Sequence, residues 1–265
     1  MSGTSLAATV CSVGLVGPGF ADWPTGAAVL AGRAAYVGSR TAIPAPSLLS
    51  SAERRRAGRV LRLAVGAAQE AAGADAASLP AVFSSSGGDG DNCHELCVAL
   101  ATPERAVSPT RFMNSVHNAA AGYWSLAAHA MRPSTALCAH DGSFAAGLLE
   151  AITQSRTWQG PVLLVAYDID YPEPLRSVRP LPDGFAMALV LDATPEVAGL
   201  ARIDVALGDG APSTMADPAL ETLRASIPAA RGLPLLALLA APTEHAECVL
   251  DYLADLALVV RVTRC

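Results

Sequence analysis

The sequence predicts an α/β layered fold with a mixed sheet between helices. Three observations carry this. Short apolar runs alternate with longer segments of helical spacing, and glycine- and proline-bearing stretches punctuate them. The chain has 265 residues, 52% hydrophobic and 16% charged, enough to bury a large core as one domain. No internal repeat or low-complexity linker divides it.

The elements follow in order. A strand is expected at 8–15, ahead of a glycine turn. A helix is expected at 52–73, where Val60, Leu61, Leu63, Ala64, Ala67 and Ala68 recur on one helical face. Further strands fall at 80–85, 134–139, 161–167 and 185–192, and further helices at 91–101, 118–131 and 142–157. The prolines of Tyr171 to Pro182 remove backbone donors and make that stretch a loop. Beyond Asp192 the expected order is strand 200–207, loop 208–217, helix 218–226, strand 234–240, helix 243–255 and strand 256–262.

One stretch is more specific than the rest. Asn118, Ala121 and Gly122 form an N-x-x-A-G element; Arg132, Pro133 and Ser134 form a turn; Thr135 to Ala139 read as a strand leading into a helix from Ser143 to Ala151. This order resembles the nucleophile region of the β-ketoacyl synthases. The resemblance extends to Ala8 to Pro18 followed by Trp23, to Arg54 to Gly73, to the VFSSSGG of Val82 to Gly88, and to the GFAMALVLD of Gly184 to Asp192. It implies a thiolase-like layered fold in which 1–193 is a complete ketosynthase-like N-terminal half. Residues 194–265 would be a reduced C-terminal portion packed on it in the same domain.

The departures from the family matter as much. The cysteine position falls on Asp141, and a carboxylate is a far poorer thioester-forming group than a thiolate. The second half of full-length synthases supplies catalytic histidines from H-G-T-G-T-like and N-x-F-G-F-G-G-like motifs. Neither motif is present around His94, His117, His129, His140 or His245.

Other residues invite enzymatic readings. His140, Asp141 and Ser143 supply the residue types of a hydrolase, and Cys138 lies three residues before the nucleophile position. Against these stand ordinary roles: Asp141 and Ser143 as caps of the helix that follows, and Cys138 as a thiol on a buried strand. Cys93 and Cys97 flank His94 in CHELC, but no second ligand pair accompanies them, so no metal is expected. The SSSGGDGD of Ser84 to Asp91 lacks a P-loop lysine, and the chain contains no lysine at all, so no nucleotide cofactor is expected. Tyr123 and Trp124 are expected in the core, and Asn118 as a helix cap.

A net charge of −6 argues against nucleic acid as a partner. It also makes any docking of an acidic acyl carrier protein depend on a local basic patch such as Arg54, Arg55, Arg56 and Arg59, or on a partner subunit. The apolar runs at 233–241 and 256–260 fall short of the roughly 20 residues of a membrane helix. The first twenty residues lack a secretory signal pattern, so a cytoplasmic location with reduced cysteines is expected.

The resemblance implies a role through a partner. In condensing enzymes the strand before the cysteine pairs across the dimer, and the segment before N-x-x-A-G reaches toward the neighbour's acyl tunnel. Thr135 and Leu137 occupy the first position, and Thr110, Arg111, Phe112 and Met113, ahead of Asn118, the second. Phe112 and Met113 are candidates for a steric floor to that tunnel, with core packing as the ordinary alternative. The implied function is a non-catalytic, chain-length-factor-like subunit of a full-length ketosynthase, in a heterodimer served by an acyl carrier protein in aryl polyene or polyketide biosynthesis. The alternative is a small acyltransferase or thioesterase using Ser143 or Cys138.

Overall fold

The computed structural model describes residues 6–241 and 244–265. The first residue of the helix expected at 243–255 lies outside the described residues. The chain runs β1 (Leu6–Val16), α1 (Trp23–Leu30), α2 (Ser51–Arg56), α3 (Arg59–Ala72), β2 (Ala81–Ser84), α4 (Gly90–Ala101), α5 (Pro109–Met113), α6 (Ala119–Ala128), β3 (Ser134–Leu137), α7 (Ser143–Trp158), β4 (Val162–Asp168), α8 (Leu175–Val178) and β5 (Phe185–Asp192). It continues through β6 (Ala201–Gly208), α9 (Pro218–Ser226), α10 (Leu233–Ala240), β7 (His245–Leu253) and β8 (Leu256–Arg264).

The eight strands form one mixed sheet in the order β3-β2-β4-β5-β1-β6-β8-β7. β2 runs parallel to β3 and β4, and every other pairing is antiparallel. Because β1 pairs with β5 on one side and β6 on the other, the sheet continues without a break into the residues after 193.

Period-2 alternation explains why β4 and β5 read as unbroken apolar runs. Val162, Leu164 and Ala166 point to a core under α7, with Phe144, Leu148 and Ile152, while Leu163, Val165 and Tyr167 point to a second core under α3 and α6. Gly14 lets α3 lie directly on β1, since a Cβ there would stand 2.1 Å from the Ala67 carbonyl oxygen. Toward the C-terminus the layering thins. β6 and β8 send Ile203, Val205, Leu258, Val260 and Val262 into the first core, but their other face carries the Arg202–Asp204 pair and the Arg261–Glu247 pair.

Four expectations need correction. The helix expected at 52–73 is two helices, because Ala57 is extended (ψ 120°) and Gly58 starts α3 afresh. The stretch expected as a strand at 234–240 is α10: LPLLALLA is apolar throughout and carries neither period, and Pro234 sits in its first turn. The stretch expected as a helix at 243–255 is β7 from His245 onward, in which Cys248 and Leu250 alternate with more exposed neighbours as they pair with β8. The loop at 171–182 contains the helical turn α8.

Candidate functional site

β3 ends at Leu137, and a tight turn at 140–142 leads into α7. His140 holds a left-handed φ of 50°, a strained conformation for a side-chain-bearing residue. Gly142 is the N-cap of α7 and has no side chain to cap with. Only glycine fits there, because a Cβ would stand 2.1 Å from the carbonyl oxygen of Tyr252, where β7 crosses the helix start.

The expected capping by Asp141 and Ser143 therefore does not occur. Ser143 is 2% exposed. Its hydroxyl accepts from the Ala139 N–H at 3.0 Å and donates to the His140 carbonyl at 2.6 Å. It meets the backbone of His140 rather than the imidazole, so the hydrolase constellation is not assembled.

Asp141 is gripped from two directions. Arg179 donates to its Oδ1 at 2.7 Å and Arg231 to its Oδ2 at 3.1 Å. The other terminal nitrogen of Arg179 lies 2.7 Å from His140 Nε2, and His140 Nδ1 lies 3.5 Å from Asp141 Oδ1. A guanidinium only donates, so Nε2 accepts and the imidazole proton sits on Nδ1, toward the carboxylate. Partial burial pushes the Asp141 carboxyl up. The Arg179 hydrogen bond and the charges of Arg231 and Arg179 outweigh it and hold the carboxyl below its ordinary value.

The clamp belongs to a chain of alternating charge. Arg231 bridges Asp251 at 3.1 Å, Asp251 bridges Arg224 at 2.9 Å, and Arg224 holds Glu221 at 2.7 Å. These residues come from β7, α9 and the turn at 228–232, so the chain of charge stitches the C-terminal portion to the start of α7. A cleft of about 730 Å³ opens beside it, lined by Asp141, Asp209, Asp251 and Asp255, an unfavourable wall for an anionic ligand. Behind the turn, Asp168 is fully buried and accepts from the Ser86 N–H (2.9 Å), the Ser86 hydroxyl (2.6 Å) and the Ala229 N–H (2.9 Å). Burial pushes its carboxyl up to about 6 despite those donors.

Cys138 lies just past β3 and is exposed, not on a buried strand; its thiol donates to the Ser86 carbonyl at 3.2 Å. Cys93 and Cys97 are both exposed on α4, and among the described residues no three His, Cys, Asp or Glu side chains are placed to hold a metal. Tyr123 and Trp124 are buried as expected. Asn118 stands at the N-cap of α6, but its side chain makes no capping bond.

β3 pairs only with β2, so its other side is an open sheet edge among the described residues. Ala81 N–H donates to the Pro133 carbonyl and Ser85 N–H to the Leu137 carbonyl. Residues 133, 135 and 137 thus turn their backbone groups to β2, and Ser134 and Ala136 turn theirs to the open edge. Thr135 and Leu137, expected in the strand that pairs across the dimer, therefore direct their own backbone groups to β2. Thr135 Oγ1 accepts from Gln154 at 2.8 Å.

Several large apolar side chains between residues 112 and 131 are exposed. Phe112 is 69% exposed, with Met113, Val116, Leu126 and Met131 also exposed, which excludes core packing within this chain for Phe112 and Met113. Thr110 is half-buried, while Arg111 pairs with Glu95 and its carbonyl accepts from Asn92. The sequence reading missed Arg179, Arg231, Asp251 and Asp168. Arg179 sits in a proline-rich loop and Arg231 in an apolar turn, and neither neighbourhood carries a pattern that points to position 141.

Fold and site together define a thiolase-like α/β protein in which the turn before α7 carries a carboxylate clamped by two arginines. Residues 31–243 match the family described as β-ketoacyl synthase, N-terminal domain, and the chain belongs to that family. Among solved structures, the fold matches a ketosynthase (ApeO) in complex with its chain length factor (ApeC) from Xenorhabdus doucetiae. That match has 22% identity and TM-score 0.74, over 98% of this chain and 100% of that one. It also matches the ishigamide ketosynthase/chain length factor, at 14% identity and TM-score 0.71 over 97% and 99% of the two chains. A β-ketoacyl synthase from Burkholderia phymatum matches at 12% identity and TM-score 0.68 over 99% and 100%. No curated protein matches the chain. No helix among the described residues is long and apolar enough to cross a membrane.

Proposed function

We propose that this chain is a non-catalytic, chain-length-factor-like subunit that pairs with a full-length β-ketoacyl-acyl carrier protein synthase in polyketide or aryl polyene biosynthesis and shapes its acyl tunnel. The observation that carries this is the state of position 141. A carboxylate whose two oxygens are held by Arg179 and Arg231 lacks the nucleophilicity to form a thioester. Bond making then belongs to another subunit. The open β3 edge and the exposed Phe112, Met113, Val116 and Met131 supply a surface for it, since unpaired strand edges and apolar patches are where chains associate.

In this reading Ser134 and Ala136 pair edge to edge with the ketosynthase, and Phe112 and Met113 project into its tunnel, where their volume limits the acyl chain. Residues 194–265 act as a brace, holding the former catalytic position shut through Asp251 and Arg231. The similar folds of the solved ketosynthase and chain length factor structures support the choice of partner. The acyltransferase alternative finds no support in the buried Ser143 or in Cys138, which has no base beside it beyond a backbone carbonyl. Co-expression with a full-length ketosynthase of the same pathway tests the reading: the two should leave a size-exclusion column together in equal amounts. Separate elution at micromolar concentration would contradict it.

A further inference from the structure

We propose that the polar groove between α2, α4 and α5 is a binding site for a small, soluble phosphate ester carrying hydroxyl or amide donors. The proposal does not rest on the subunit role, although the groove borders α5, whose Phe112 and Met113 that role uses. The groove encloses about 430 Å³, within the range of small-molecule sites, and Arg55, Arg56, Arg59 and Arg111 line it. That is a concentration of positive charge on a chain whose net charge is −6.

The charges are not equally spent. Arg54, next in sequence, belongs elsewhere, because it donates to the carbonyls of Pro46 and Leu49 at 3.1 and 2.8 Å. Arg59 is held by Asp170 at 2.8 Å and Arg111 by Glu95 at 3.5 Å. Arg55 and Arg56 are exposed and make no ion pair among the described residues. Two carboxylates also line the groove. Asp89 caps α4 by accepting from the Asn92 N–H at 3.0 Å, and Asp91 lies 3.8 Å from Arg59. With Arg59 and Arg111 held by Asp170 and Glu95, Arg55 and Arg56 are the guanidinium groups of the groove left for a ligand, and their forks match phosphate oxygens.

Two further features point to a ligand. α3 is a helix of 14 residues whose N-cap, Gly58, has no capping side chain, and Gly58 and Arg59 form part of the groove wall. Its first-turn N–H groups supply an anion-favouring pole. Independently, Asn114 lines the groove and is only 4% exposed. Its Nδ2 donates to the Arg56 carbonyl at 3.1 Å, but its Oδ1 has no partner. A buried acceptor without a donor is uncommon in native proteins, and a hydroxyl or amide beside the phosphate would satisfy it.

Calorimetric titration of the chain with glycerol 3-phosphate, and separately with inorganic phosphate, tests the assignment. Glycerol 3-phosphate should bind saturably at one site and more tightly than inorganic phosphate. The surface double variant Arg55→Gln/Arg56→Gln should weaken it at least tenfold while circular dichroism stays unchanged. Absence of saturable binding, or binding unmoved by the double variant, would overturn the site. Equal affinity for the two probes would overturn the phosphate ester assignment.

Discussion

The Arg179 guanidinium donates to Asp141 Oδ1 at 2.7 Å across a separation of 38 residues, and this bond anchors the turn before α7 to the loop that carries Arg179. Arg231 holds the second oxygen, so both oxygens of the carboxylate are engaged by guanidinium groups.

Loss of the anchor should cost stability rather than chemistry. Asp141→Asn leaves Arg179 and Arg231 each short of a charged acceptor, at a cost of about 1–2 kcal/mol after solvent screening of this partly exposed site. Urea denaturation should register that cost, while the condensation rate of an assembled complex stays near that of the unsubstituted one. A fall in rate of several orders of magnitude with the complex intact would assign Asp141 to bond making.

The pH dependence of stability should carry two opposite signatures. Asp168 has its folded pKa raised to about 6 from 3.8, so the native state binds more protons than the unfolded chain between those values. Its contribution therefore falls as pH rises from about 4 to 6, by up to about 3 kcal/mol. Asp141 is lowered instead, so its contribution is present above the ordinary carboxylate value and is lost as pH falls below it. Denaturation curves between pH 3 and 7 should show Asp168→Asn removing the upper slope. An unchanged slope in that variant would place the titration elsewhere.

The open edge can be tested one donor at a time. Ala136 turns its N–H away from β2, so Ala136→Pro removes an outward donor and should dissociate the ketosynthase complex while the chain stays folded. Leu137→Pro removes a donor on the β2 side and should destabilise the chain itself. Full association of a folded Ala136→Pro variant would mean that the partner docks on another face.

Product length should respond to volume at the exposed apolar pair. Phe112→Ala and Met113→Ala should each lengthen the product by two-carbon units in the mass spectrum, with unchanged complex stoichiometry. An unchanged distribution in both would place the tunnel end elsewhere.

The sequence made the N-terminal layers legible because their signals are local. The helical spacing of Val60 to Ala68 and the apolar runs of β4 and β5 survive into the structure nearly residue for residue. The C-terminal portion was harder. α10 is apolar on all sides and carries no period, and the partly exposed face of β7 blurs its alternation around Cys248 and Leu250. The clamp was illegible because the residues that meet there, Asp141, Arg179, Arg231 and Asp251, are separated by tens of residues and converge only once β7 crosses the start of α7. Asp141 could be singled out in the sequence, but its partners could not.

The most direct measurement of the central claim is the intact mass of both subunits from a co-purified complex given acyl carrier protein-bound substrate. Acyl adducts should appear on the ketosynthase alone, with this chain at its unmodified mass throughout turnover. An acyl adduct on this chain, at Cys138, Ser143 or any other residue, formed and discharged at the rate of product formation, would contradict a non-catalytic role.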